Sequence, residues 1–155
     1  MNLIRKKIKF DKKLIDQDAL KIVKKMTNSG YETYLVGGCI RDILLGHKPK
    51  DFDIATSATP EQINKLFKRS RIIGRRFKLV HIMFSARKFI EVATFRAGNL
   101  KTSSDGLVLR DNYYGTLKDD VFRRDFTVNG LYYDINKSEV IDYVGGLKDL
   151  EILKI

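Results

Sequence analysis

The chain has 155 residues, 43% hydrophobic and 32% charged, which bounds it to one globular domain and excludes wholesale disorder. No apolar run reaches the ~18 residues of a membrane span, the basic start lacks an apolar signal region, and the lone Cys39 excludes an internal disulfide, so a cytoplasmic, membrane-free setting is expected. Net charge is +11 and unevenly spread: residues 1–30 hold nine cations and three carboxylates, and residues 61–90 hold nine and one. Such blocks suit a polyanion held beside the more acidic stretch between them, or they are solvated faces.

Met1–Ile15 reads as a basic arm preceding a single head domain over 16–155. Ala19, Ile22, Val23 and Met26 recur at helical spacing over Asp16–Asn28, and Ser29-Gly30 supplies a stop. Thr33–Val36 is a short apolar strand that runs into Gly37-Gly38, after which Ile40, Ile43 and Leu44 give a second helical face. Asp51–Thr56 alternates like a strand. Thr59-Pro60-Glu61-Gln62 carries a capping box with proline at the first helical position. Arg71–Ile73, Lys78–Phe84 and Phe89–Phe95 read as strands, the last two antiparallel about a turn at Ser85-Ala86-Arg87. Gly98–Leu109 reads as a loop, Leu117–Leu131 as helical, Tyr132–Ile135 and Val140–Val144 as strands, and Gly145-Gly146 opens a last helix. The expected fold class is α+β (mixed α/β), a mixed sheet flanked by helices.

Two segments carry the strongest chemical signal. In Leu35–Asp42 a strand meets two glycines and a helix, a geometry that brings backbone N–H groups to a phosphate with no Cβ in the way. Arg41 lies in the first turn beyond, able to make charge-assisted contacts to phosphate oxygens. Asp51 and Asp53, two apart on the next strand, project to one side. Their repulsion is relieved by a divalent cation of the Mg²⁺ type, and alone they would be two solvated aspartates. Glu91, among Ile90, Val92 and Phe95, is either exposed on a sheet face or turned to the same site as a third acid. Arg123, Arg124, Asp125 and Asn129 form either a surface ion cluster or a ribose- and phosphate-binding face, with Asp125 and Asn129 one helical turn apart. Cys39 and His81 read as packed residues, and His47 as a loop residue.

Together these segments resemble a known family. LVGGCIRDILLGHKPKDFD at Leu35–Asp53, IEVATFR at Ile90–Arg96 and RRDFTVN at Arg123–Asn129 are similar, in order, to the signature of class II nucleotidyltransferases, the tRNA nucleotidyltransferase/poly(A) polymerase family. The resemblance implies a palm-like head in which the acids at Asp51, Asp53 and Asp125 are catalytic. It implies Mg²⁺, with Mn²⁺ as the alternative, on Asp51 and Asp53 supported by Glu91. Gly37, Gly38, Arg41, Arg96, Arg124 and Asn129 would bind the nucleotide. It further implies template-independent transfer from a nucleoside triphosphate to an RNA 3′ end. IIGRRFKLVHI at Ile72–Ile82 is similar to the poly(A)-adding branch, which implies ATP as substrate, with CCA addition as the alternative. Arg75, Arg76 and Lys78 in that segment are the expected RNA contacts. Family members continue into a neck, body and tail, which this chain does not include; the third expectation is therefore a non-catalytic nucleotide- or RNA-binding head.

Overall fold

The computed structural model describes residues 3–75, 78–96, 114–122 and 130–153. Arg76, the Gly98–Leu109 loop and Arg123–Asn129 lie outside the described residues. Eight strands, β1 (Ile4–Lys7), β2 (Thr33–Val36), β3 (Asp53–Thr56), β4 (Ser70–Ile73), β5 (Leu79–Met83), β6 (Phe89–Thr94), β7 (Leu131–Asp134) and β8 (Glu139–Asp142), form one sheet. Their spatial order is β1-β8-β7-β2-β3-β6-β5-β4. Among the described residues, five α-helices flank it: α1 (Gln17–Asn28), α2 (Gly38–Leu44), α3 (Pro60–Leu66), α4 (Leu117–Phe122) and α5 (Gly146–Leu153). The α+β class expected from the sequence is the one observed.

Side chains alternate across each strand, and the sheet has two different faces. Leu35, Ile54, Val80 and Val92 pack with Ile22, Val23 and Met26 of α1, Ile40 and Ile43 of α2, and Ile63 of α3. Tyr34, Val36, Ala55 and Tyr132 form a second core with Leu117 and Val121 of α4. Each fully buried Ile, Leu or Val contributes about 1.5–3 kcal/mol. The capping box of α3 forms as expected: the Gln62 N–H donates to Thr59 Oγ1 at 3.2 Å and the Thr59 N–H to Gln62 Oε1 at 2.9 Å.

Among the described residues, every strand pair is antiparallel except β3 with β6. A parallel pair needs a crossover connection, and the chain makes it through α3 and the β4–β5 hairpin. The consequence for function is direct: the N-terminal ends of β3 and β6 lie side by side, with Asp53 opposite Glu91.

Residues 3–15, within the stretch expected as a basic arm, run against the sheet. Ile4–Lys7 pairs with β8, the Ile8 N–H donates to Ser138 O at 2.9 Å, and Phe10 stacks on Tyr133 with ring centroids 3.8 Å apart. Every β1 side chain is exposed, so this strand is held by its backbone ladder, and its lysines keep the sheet edge from pairing further. No helix among the described residues is long and apolar enough to cross a membrane.

Candidate active site

The described strand starts at Asp53, two residues later than expected, and Asp51 and Phe52 lead into it. Phe52 is buried while Asp51 and Asp53 on either side are exposed, so both carboxylates face solvent as their spacing requires. They sit between two clefts. One, of about 400 Å³, is lined by Gly38, Arg41, His47, Lys48 and Lys50. The other, of about 440 Å³, is lined by Asp16, Arg87, Lys88, Phe89 and Glu91. Asp51, Asp53 and Lys50 border both. An anion in the first cleft and a second reactant in the other would therefore meet at the same carboxylate pair.

The glycine turn is built for this position. Gly37 ends β2 at φ 81° and ψ −141°, a conformation open to glycine and strained for other residues. The turn lets α2 start at Gly38 directly over the strand end. A Cβ on Gly38 would stand 3.1 Å from Arg41 Nη2, so the guanidinium lies folded across this bare backbone at the cleft wall. Arg41 Nε and Nη2 also donate to Asp42 Oδ1 at 3.2 and 3.1 Å, which fixes the head of a half-exposed side chain. Cys39 is packed, as read: its thiol donates to Val36 O at 3.4 Å, and burial, with the nearby Asp53 charge, pushes its pKa up to about 12.

On the other side, Lys88 Nζ donates to Asp16 Oδ2 at 2.8 Å and to Asp18 Oδ2 at 2.7 Å, tying the β5–β6 turn to the start of α1. Partial burial raises the Asp16 pKa, but the hydrogen bonds from Lys88 and from the Ala19 and Asp18 N–H groups overcome it, leaving the carboxyl below its usual range. The same two carboxylates raise the Lys88 pKa.

Asp51 and Asp53 offer hard oxygen donors suited to a divalent cation. Among the described residues, however, no three His, Cys, Asp or Glu side chains are grouped to hold a metal. Asp51, Asp53 and Glu91 nevertheless line one cleft, with Asp53 opposite Glu91 across the parallel pair. Glu91 reaches His81 across the antiparallel β5–β6 pair, Oε1 to Nε2 at 3.3 Å. Arg96 is not among the residues that line either cleft. It is five residues beyond Glu91, about 16 Å along the strand, where its N–H donates to Asp120 Oδ1 at 3.0 Å. Arg75 is exposed, and Lys78 lies 3.8 Å from Glu61, a pair of exposed charges.

Several residues of consequence were not singled out from the sequence. Lys88 and Asp16 give no local signal, because 72 residues separate them. Asp120, 1% exposed, accepts the Arg96 N–H and the Tyr132 hydroxyl, and nothing in Lys118-Asp119-Asp120 tells which acid turns inward. Asp142 gathers the N–H groups of Val144, Gly145, Gly146 and Leu147 at 2.9–3.1 Å and caps α5; an aspartate ahead of a Gly-Gly helix start is a readable signal for this.

A Gly-Gly turn with an overlying arginine, set beside paired carboxylates at the mouth of a mixed sheet, defines a head of the nucleotidyltransferase type. Comparison with known proteins agrees. The family model described as "Poly A polymerase head domain" matches residues 33–155. Poly(A) polymerase I of Haemophilus influenzae is 53% identical over 148 residues, covering 90% of this chain and 32% of that protein. The crystal structure of the Bacillus stearothermophilus CCA-adding enzyme in complex with CTP superposes with a TM-score of 0.69 at 34% identity, covering 87% of this chain and 31% of that one. A tRNA nucleotidyltransferase complexed with a primer tRNA and an incoming ATP analog gives a TM-score of 0.62 at 29% identity, covering 84% and 36%. The chain thus spans about a third of the length of the proteins it matches. It belongs to the poly(A) polymerase head-domain family.

Proposed function

We propose that this chain is the head that transfers AMP from ATP to the 3′ end of RNA, using Asp51 and Asp53 as the centre of the reaction. The observation that carries this reading is that the two carboxylates border both clefts at once. The cleft with Gly38 and Arg41 takes the triphosphate: the bare backbone admits the phosphates closely, and the Arg41 fork donates to their oxygens. Lys48 and Lys50, on the same wall, add positive charge. The cleft with Arg87 and Lys88 receives the RNA 3′ end. The 3′-oxygen then attacks the α-phosphorus, its proton leaves, and the bond to pyrophosphate breaks.

Asp51 and Asp53 are the residues that would hold the divalent cations, which when bound supply charge stabilisation to the attacking and leaving oxygens. The protein's own part is placement. The parallel β3–β6 pair holds the carboxylate edge rigid, and the turn at Gly37 sets the triphosphate wall against it. Asp125, Arg124 and Asn129 complete the site that the resemblance implies. ATP over a CCA sequence is favoured by the higher identity to poly(A) polymerase I, 53% against 38% for a CCA-adding enzyme.

The test is RNA 3′-end extension with each of the four triphosphates in turn and Mg²⁺ present. Repeated addition from ATP alone is expected. Limited addition of C then A to tRNA ends would instead indicate the CCA reaction. Triphosphate binding with no transfer would indicate a binding head.

A further inference from the structure

We infer that the sheet face beyond the carboxylates is a track for the single-stranded RNA leading to the 3′ end, with Phe89 as a stacking surface and Arg71 and Arg69 as phosphate contacts. The inference rests on the RNA reading above and assigns it residues.

Asp53, Glu91, His81 and Arg71 stand directly opposite one another on β3, β6, β5 and β4, so this one row projects from a single face of the sheet. At about 4.8 Å per strand, Arg71 lies about 14 Å from Asp53, a span that a short run of unpaired nucleotides covers. In the next row Phe89 opposes Met83, whose N–H donates to Arg69 O at 2.7 Å. Phe89 is 49% exposed for a large apolar ring, yet it is held in place by stacking on His81, centroids 4.2 Å apart at 18°.

Arg69 and Arg71 are exposed and line a shallow cleft of about 290 Å³ with Met83, Ser85 and Ala86. No carboxylate lines it, and no carboxylate among the described residues engages either guanidinium. The β5–β6 turn continues from Ser85 and Ala86 to Arg87 and Lys88, which line the carboxylate cleft. The two clefts adjoin across one turn. A rigid exposed ring on an open sheet, followed by two uncommitted guanidiniums, is the chemistry that takes bases on their faces and phosphates on their oxygens.

Anisotropy of 5′-dye-labelled oligoadenylates tests the track, using an octanucleotide and a dinucleotide over a salt series. Arg69→Ala with Arg71→Ala is expected to weaken octanucleotide binding about tenfold and flatten the log–log salt slope by about 1.4, at ~0.7 per phosphate contact. Phe89→Leu is expected to weaken it about tenfold as well, with the slope unchanged, because stacking carries no counterion release. Dinucleotide binding should not move in the double arginine variant, whose residues line only the outer cleft. Arg71→Lys should keep the slope, and Mg²⁺·ATP binding by the double arginine variant reports that it is folded. Octanucleotide binding by both variants equal to that of the unaltered chain would overturn the track alone. An unaltered chain that binds Mg²⁺·ATP but no octanucleotide would overturn the RNA reading beneath it.

Discussion

Two neighbouring glycines should respond to the same substitution in opposite ways. At Gly38 an alanine Cβ would meet Arg41 Nη2 at 3.1 Å, Cζ at 3.6 Å and Nη1 at 3.9 Å. These atoms are the far end of a flexible side chain, so the guanidinium gives way at little cost to the fold. Alanine also improves helix propensity by up to about 1 kcal/mol. The loss falls on the ligand: displacing Arg41 removes a charge-assisted contact to phosphate worth about 1.5–3 kcal/mol, or roughly ten- to hundredfold in ATP affinity. At Gly37 nothing lies within 4 Å of a new Cβ, but φ is 81°. The strain there is about 1–3 kcal/mol, which lowers Tm by about 2–4 °C per kcal/mol for a chain of this size. Thermal melts by circular dichroism and calorimetric titration of Mg²⁺·ATP separate the two. Gly38→Ala should hold its Tm and lose affinity, and Gly37→Ala should lose Tm. A Gly38→Ala chain with unchanged ATP affinity would refute the placement of Arg41 at the phosphate wall.

Asp16→Ala removes the cap of α1 and a partner of Lys88, and should cost about 1–2 kcal/mol in urea melts at neutral pH. Because the folded Asp16 pKa lies below its unfolded value, this stabilisation is present above about pH 4 and is lost as pH falls through the folded value, so the two melts should converge in acid. The raised Lys88 pKa acts at the other end: its share is full at neutral pH and is lost above about pH 10.4 as the folded lysine deprotonates. Asp142→Ala leaves the N–H groups of Val144, Gly145, Gly146 and Leu147, in and just before the first turn of α5, without their acceptor, and should cost about 3 kcal/mol by denaturant unfolding. Cys39 should resist maleimide at pH 8 in the native chain and react promptly in urea, since burial holds its thiol near pKa 12.

The elements that depend on near neighbours were legible before any coordinates. The α3 capping box, the α1 stripe and the strand–glycine–helix turn are each written within a dozen residues, and each appears where expected. The edge strand β1 was not legible, because Ile4-Arg5-Lys6-Lys7 buries nothing and so shows no alternation; only its ladder to β8, more than 130 residues away, makes it a strand. Asp51 and Asp53 were legible as a pair because their spacing alone puts them on one side. The partner of Glu91 was not: the register of β5 against β6, set across a turn, decides that it meets His81. Likewise Arg96 matches a family segment in sequence, yet strand geometry carries it about 16 Å from the carboxylate end.

Calorimetric titration of ATP into the unaltered chain and into Asp51→Asn and Asp53→Asn, each with and without Mg²⁺, tests the carboxylate centre most directly. With Mg²⁺, each variant is expected to bind at least about tenfold more weakly, ~1.4 kcal/mol, with an unchanged circular dichroism spectrum. Without Mg²⁺ the order should not persist, because the free carboxylates repel the triphosphate and their removal relieves that repulsion. Equal ATP affinity of all three chains in Mg²⁺ would contradict Asp51 and Asp53 as the residues that would hold the divalent cation.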